Sequence, residues 1–177
     1  MLLWHIGGTI AVIRYVFRDE RIDLRLLILG AVLPDLVDLP IGAIWFSAFR
    51  SVQLFGHTML FAALAMVIVV FSTKRGRARK RWVPLAAGIL IHLVLDLMWL
   101  DSATLWWPFL GHEFSDTGYE TFRMLARNIL GDWKIWLCEG VGGLYLGMLV
   151  SRAGLVSAES RRRFIETGRI DVPIGRR

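Results

Sequence analysis

With 177 residues, 55% of them hydrophobic, and a mean hydropathy of +0.53, the chain carries more apolar surface than a soluble domain of its size buries, and that surface comes in long blocks. A formal charge of +6 would suit nucleic acid, but the basic residues are placed differently: Lys74, Arg75, Arg77, Arg79, Lys80 and Arg81 separate two apolar blocks, and Arg152, Arg161, Arg162, Arg163, Arg169, Arg176 and Arg177 follow the last. This is the positive-inside pattern of an integral membrane protein, with lipid headgroups as the expected partner and no nucleic acid.

The first apolar segment runs from Leu2 to Phe17, with His5 near its start and Arg14, Arg18 and Arg21 at or beyond its end. No positive charge precedes it and no small-residue cleavage site follows, so a cleavable signal peptide is not expected. The second segment, Leu24 to Phe46, contains Leu33-Pro34-Asp35-Leu36-Val37-Asp38-Leu39-Pro40. Two prolines remove backbone donors, and a break in the helix is expected at Pro34 and Pro40, next to two carboxylates. The third segment, Leu54 to Phe71, carries His57 at its start, and the fourth, Val83 to Leu100, carries His92 and Asp96. Spaced four apart on a helix, those two side chains share one face, and Gly88 one turn earlier leaves room for a neighbour.

The connection from Asp101 to Asp132 is rich in acids and aromatics and holds His112, expected to face solvent or headgroups. Within it Tyr119, Phe122, Leu125, Ala126, Ile129 and Leu130 recur at helical spacing, which predicts a short amphipathic helix in the membrane interface. The fifth segment, Trp133 to Val150, carries Glu139 and the lone cysteine, Cys138, which excludes an intramolecular disulfide. Gly140, Gly143 and Gly147 on it predict close helix packing. The expected architecture is an all-α polytopic membrane bundle of about five apolar segments. One membrane-embedded domain covers 1–152, and a basic cytoplasmic tail with a short helix over Ser160 to Thr167 covers 153–177.

An N-terminus outside and a C-terminus in the cytoplasm place both strongly basic stretches inside. The same topology puts Trp4, Trp45, Trp99, Trp106, Trp107, Trp133 and Trp136, seven of the eight tryptophans, at or near the outer boundary, where indoles prefer to sit. It also brings His5, Asp35, Asp38, His57, His92, Asp96 and Glu139 to one depth in the outer half. Ionisable groups in a bilayer cost a few kcal/mol each and are paired, metal-bound or functional. Three imidazoles with up to four carboxylates form the ligand set of zinc or another divalent ion, one or two in number. Blander readings exist for each: interfacial histidines, Asp35 or Asp38 capping a proline break, and a helix–helix hydrogen bond between His92 or Asp96 and a neighbour.

The early His5, the block Leu33 to Asp38, Gly56-His57-Thr58, His92-x-x-x-Asp96 and Trp107-Pro108-Phe109 together resemble the YdjM-like membrane-bound metal-dependent hydrolases, also described as LexA-binding and inner-membrane-associated. The resemblance covers residues 1 to 150 and leaves the tail outside. A remoter similarity is to helical zinc-dependent phospholipases C and related single-strand nucleases. By that similarity one metal would take Asp35 or Asp38 with His57, His92 and Asp96, and a second would take His5 and share Asp96. Those soluble enzymes have a later His-x-x-x-Glu pair, whereas this chain has only Glu139, which becomes a ligand of the second metal or an outer acceptor.

The resemblance implies a metal-dependent hydrolase in the inner membrane. The location of the site suggests a phosphoester of a lipid or lipid-linked substrate, with Asp35 or Asp38 accepting the proton of the attacking water. Two other classes compete. An ion or metal transporter would carry matching polar residues in the inner halves of its segments, and a non-catalytic scaffold would depend on the basic tail.

Overall fold

The computed structural model describes residues 1–19, 22–170 and 172. Arg21, Arg176 and Arg177, and with them the end of the tail, lie outside the described residues. Among the described residues every regular element is helical.

Helix α1 (Leu2–Ala11) runs directly into a π-helical stretch, Val12–Phe17, and Arg18 ends it in the left-handed region at φ 53°. Helix α2 (Leu24–Ile44) starts at Asp23, whose carboxylate accepts from the Arg25 backbone N–H at 3.1 Å. The expected break at Pro34 and Pro40 does not occur, and both prolines lie inside this one helix of 21 residues. Proline leaves the carbonyl four residues earlier without its donor. Both prolines are accommodated without ending the helix, and one residue past Gly30 the Ala31 carbonyl accepts from His92 Nδ1 of α5 at 2.7 Å.

A short helix α3 (Phe46–Phe49) and a 3-10 turn over Phe55–His57 lead to α4 (Met59–Ser72), whose first turn is capped by Thr58 Oγ1 accepting from Phe61 N–H at 3.0 Å. Helix α5 (Arg77–Leu95) starts earlier than the apolar pattern predicts and takes part of the basic run into its first turns. It also stops earlier, because Leu97 adopts a left-handed φ of 56° and leaves Asp96 as the C-cap. Asp96 still bonds back to the His92 carbonyl at 3.0 Å, so the pair keeps its one-turn spacing.

Beyond it come α6 (Ser102–Leu105), the amphipathic α7 (Phe122–Gly131), α8 (Trp133–Arg152) and α9 (Ala158–Thr167), with Asp101, Thr121, Asp132 and Ser157 as their side-chain N-caps.

Two seams hold the bundle together. Along α2 and α5, Gly30 packs on the Leu85 backbone, and Gly88 lies against Leu27 and Ala31 so closely that a Cβ there would sit 2.8 Å from the Ala31 nitrogen. Along α1 and α8, a Cβ on Gly7 would meet the Gly142 carbonyl oxygen at 2.8 Å. The close packing expected of Gly140 and Gly147 falls instead on Gly142, with Gly143 touching Leu3; Gly140 and Gly147 face open space among the described residues.

Beside an apolar core, polar groups are buried while whole apolar helix faces stay exposed. His5, Thr9, Asp38, His57, Thr58, His92 and Thr104 are fully buried, while Leu64, Val67, Ile68 and Phe71 of α4 and Leu137, Val141, Leu144 and Met148 of α8 are exposed. By length and composition one helix, Leu24–Ile44, is long and apolar enough to cross a membrane; Leu2–Phe17 and Met59–Ser72 are shorter apolar helices.

Candidate metal centre

Four of the expected residues meet at one point. One nitrogen or oxygen each from Asp35, His57, His92 and Asp96 lies within 4.8 Å of all the others, an arrangement that could hold a metal ion. Asp35 sits mid-helix on α2, His57 ends the 3-10 turn before α4, His92 is in the last turn of α5, and Asp96 caps that helix.

Both imidazoles are held from behind. His57 Nδ1 lies 2.7 Å from Asp38 Oδ2, and His92 Nδ1 lies 2.7 Å from the Ala31 carbonyl oxygen. A carbonyl only accepts, and the Asp38 oxygen already accepts from the backbone, so each Nδ1 carries the proton. Each Nε2 therefore presents a lone pair to the centre, and the two nitrogens are 3.2 Å apart. His57 Nε2 is 3.4 Å from Asp35 Oδ1 and 3.3 Å from Asp96 Oδ2, while His92 Nε2 is 3.8 Å and 3.4 Å from the same two oxygens. Ligands about 2.0–2.1 Å from a tetrahedral zinc ion stand about 3.3 Å from one another, so the spacing fits the group.

Asp38 stands outside this set. It is fully buried; its Oδ1 accepts from Gly56 N–H at 2.8 Å, and its Oδ2 from Leu54 N–H at 2.7 Å, His57 N–H at 3.1 Å and the His57 ring. One carboxylate thus folds the Leu54–His57 turn and orients its histidine, and it has no oxygen left facing the centre. Gly56 makes the turn fit, since a Cβ there would lie 2.9 Å from Pro34 Cα.

His5 stands beside the centre. Its ring stacks on His92 with centroids 4.0 Å apart, and its Nε2 lies 2.6 Å from Asp96 Oδ1. That separation is a direct hydrogen bond, with no room for an ion between the two atoms. His5 Nδ1 is buried without a hydrogen-bond partner and lies 3.8 Å from Asp35 Oδ2, which the terminal amine of Met1 also approaches at 3.8 Å. Glu139 is not at the centre: its Oε2 accepts from the Leu3 backbone N–H at 2.9 Å and caps the first turn of α1. Outside the described cluster, His112 offers only its backbone carbonyl, to Trp107 Nε1 at 3.2 Å.

A family model described as YdjM inner membrane protein matches residues 2–161. The chain belongs to that family. No curated protein and no solved structure matches it. The YdjM match includes every residue of the cluster and continues past the end expected near residue 150 into the first turn of α9.

Two participants in the site were not expected from the sequence. Gln53, the chain's single glutamine, donates from Nε2 to Asp96 Oδ2 at 3.3 Å. The Ala31 carbonyl fixes His92. Gln53 left one signal, a lone amide four residues before His57 in an otherwise apolar approach; a backbone carbonyl leaves none.

Proposed function

We propose that this chain is a membrane-embedded, metal-dependent phosphoester hydrolase. It holds one zinc-class ion between Asp35, His57, His92 and Asp96 and acts on a lipid or lipid-linked substrate at the outer face of the inner membrane. The observation that carries the reading is the pair of inward lone pairs on His57 and His92, 3.2 Å apart and accompanied by two carboxylates. Four acceptors without a cation between them repel, and a buried group of that kind is stable once a cation neutralises it.

Such an ion supplies Lewis-acid polarisation of a phosphoryl oxygen and an acidified water. The side chains supply the rest. Asp38 and the Ala31 carbonyl hold the two imidazoles in their binding tautomers, while His5 and Gln53 fix the Asp96 carboxylate. Asp35 is the proton acceptor, since its side chain is 39% exposed whereas Asp38 is buried and fully bonded. Its Oδ2 faces His5 Nδ1, which is available to receive the proton next.

In this reading α1 with its π-helical end, α2, α4, α5 and α8 cross the membrane. The N-terminus is outside, and the basic tail beyond residue 152 lies in the cytoplasm. The exposed apolar faces of α4 and α8 and the positive-inside arrangement support it. The α7 helix then lies in the outer interface.

The test is elemental analysis of the purified full chain and of a His57→Ala/His92→Ala variant, followed by a panel of phospholipids, lipid diphosphates and aryl phosphoesters. One equivalent of divalent metal in the wild type, lost from the variant, and metal-dependent phosphate release are expected. Wild-type protein that takes up no divalent metal overturns the centre; a metal-loaded chain that releases phosphate from no member of the panel overturns the hydrolase.

A further inference from the structure

The end of the bundle remote from the metal centre carries a second built feature. His92 lies 15 residues along α5 from Arg77, about 22 Å at 1.5 Å per residue. Around the first turns of α5 opens a cleft of about 640 Å³, walled by the approach to α2, the start of α5 and the end of α9.

Chain segments far apart in sequence are fastened together to make it. The Leu24 N–H donates to the Gly168 carbonyl at 2.8 Å, and an Arg25 guanidinium nitrogen donates to the Ile165 carbonyl. Gly168, at φ +70°, fits against the Asp23 carboxylate where a Cβ would collide.

Its charge is unevenly matched. Asp23 is taken by Arg25 at 2.6 Å and approached by Arg81 at 3.7 Å, and Glu166 by Arg162 at 3.4 Å. Asp19 also lines the cleft. Arg77, Lys80 and Arg169 point into the same space, and none of their side chains has a hydrogen-bond or ion-pair partner among the described residues. Three cations without a partner among the described residues, from two chain segments 89 or more residues apart, converge on a cavity whose remaining wall is Ile22, Val83, Pro84 and Thr167.

We propose that this cleft is a binding site for the headgroup of an anionic phospholipid of the membrane leaflet opposite the metal centre. The cations match a phosphodiester. The apolar wall of Ile22, Val83 and Pro84 matches the glycerol and first methylenes that follow it, which a free phosphate lacks. The tail then serves as the third wall of a lipid site.

The test uses the full chain in mixed micelles of phosphatidylglycerol and phosphatidylcholine, with native mass spectrometry of the retained lipid. Wild type is expected to retain phosphatidylglycerol over phosphatidylcholine at least tenfold. Arg77→Gln/Lys80→Gln/Arg169→Gln should lose that preference, and Arg152→Gln/Arg161→Gln/Arg163→Gln, with the same loss of charge outside the cleft, should keep it. Equal loss in both variants means diffuse attraction and overturns the site. Displacement of the lipid by equimolar glycerol 1-phosphate overturns the lipid assignment, because the headgroup alone would then suffice. An unchanged melting temperature in the first variant separates lost binding from lost folding.

Discussion

His92 Nδ1 and the Ala31 carbonyl oxygen lie 2.7 Å apart across the seam of α2 and α5. One hydrogen bond therefore does two jobs: it ties α5 to the α2 backbone and sets which nitrogen of His92 faces the centre. The seam permits it because Gly30 and Gly88 let the backbones approach. Gly88→Val should push the helices apart, cost about 1–3 kcal/mol of stability by overpacking, and lower metal content together with melting temperature. Metal content that holds while the melting temperature falls would separate the seam from the centre.

Asp38→Asn keeps the shape of the side chain but removes the charge that holds the His57 proton in place. Metal affinity should fall about 10–100-fold, the usual effect of losing a ligand's hydrogen-bond partner. Asp38→Ala should be far worse, since three backbone N–H groups and a ring would lose their acceptor at a fully buried position. Competitive chelator titration measures the first, and the yield of folded protein measures the second.

Glu139→Gln tests the one expected ligand that the fold places elsewhere. Its Oε2 holds the start of α1, so metal stoichiometry should stay at the wild-type value while stability falls by about 1 kcal/mol. Loss of metal from this variant would return Glu139 to the centre.

Removal of the ion should destabilise the chain by mass action, by about 4 kcal/mol when the free ion stands at 1,000 times its dissociation constant. Melting with and without chelator, at several metal concentrations, gives the dependence. Protons compete for the same nitrogens and oxygens, so the chelator-sensitive part of the melting temperature should shrink as the pH falls.

Asp23, outside the helix it caps, is held below the usual carboxylate range, chiefly by its hydrogen bonds from Arg25. A depressed folded value means stability that is present above the unfolded value of 3.8 and is lost as the pH falls through the folded one. Asp23→Asn should lower stability by about 1 kcal/mol at pH 7 through the weakened cap and ion pair, and should flatten the acid limb of a stability–pH curve while leaving the curve between pH 6 and 8 parallel to wild type.

Local regularities made part of this legible in advance. The spacing of His92 and Asp96 fixes their relation wherever that turn of helix forms, and the alternating direction of the apolar segments gives only an expected depth. Expected depth does not fix azimuth: Glu139 sits on α8, which packs on α1, and its carboxylate meets Leu3 N–H rather than the cluster. Asp38 read as a ligand because its partners, backbone N–H groups 16 to 19 residues onward, belong to a turn that composition does not describe. The prolines of α2 read as breaks because each removes a local helix bond, while the close packing of α2 on α5 at Gly30 and Gly88 joins residues more than 50 positions apart.

All four cluster residues lie between positions 35 and 96, and the histidine that steadies Asp96 comes earlier still, at position 5. During synthesis the whole donor set is therefore present when α5 is finished, before α7, α8 and α9 exist. If the centre binds an ion as proposed, the order of manufacture would let the first half of the chain take it up before α8 arrives to pack on α1.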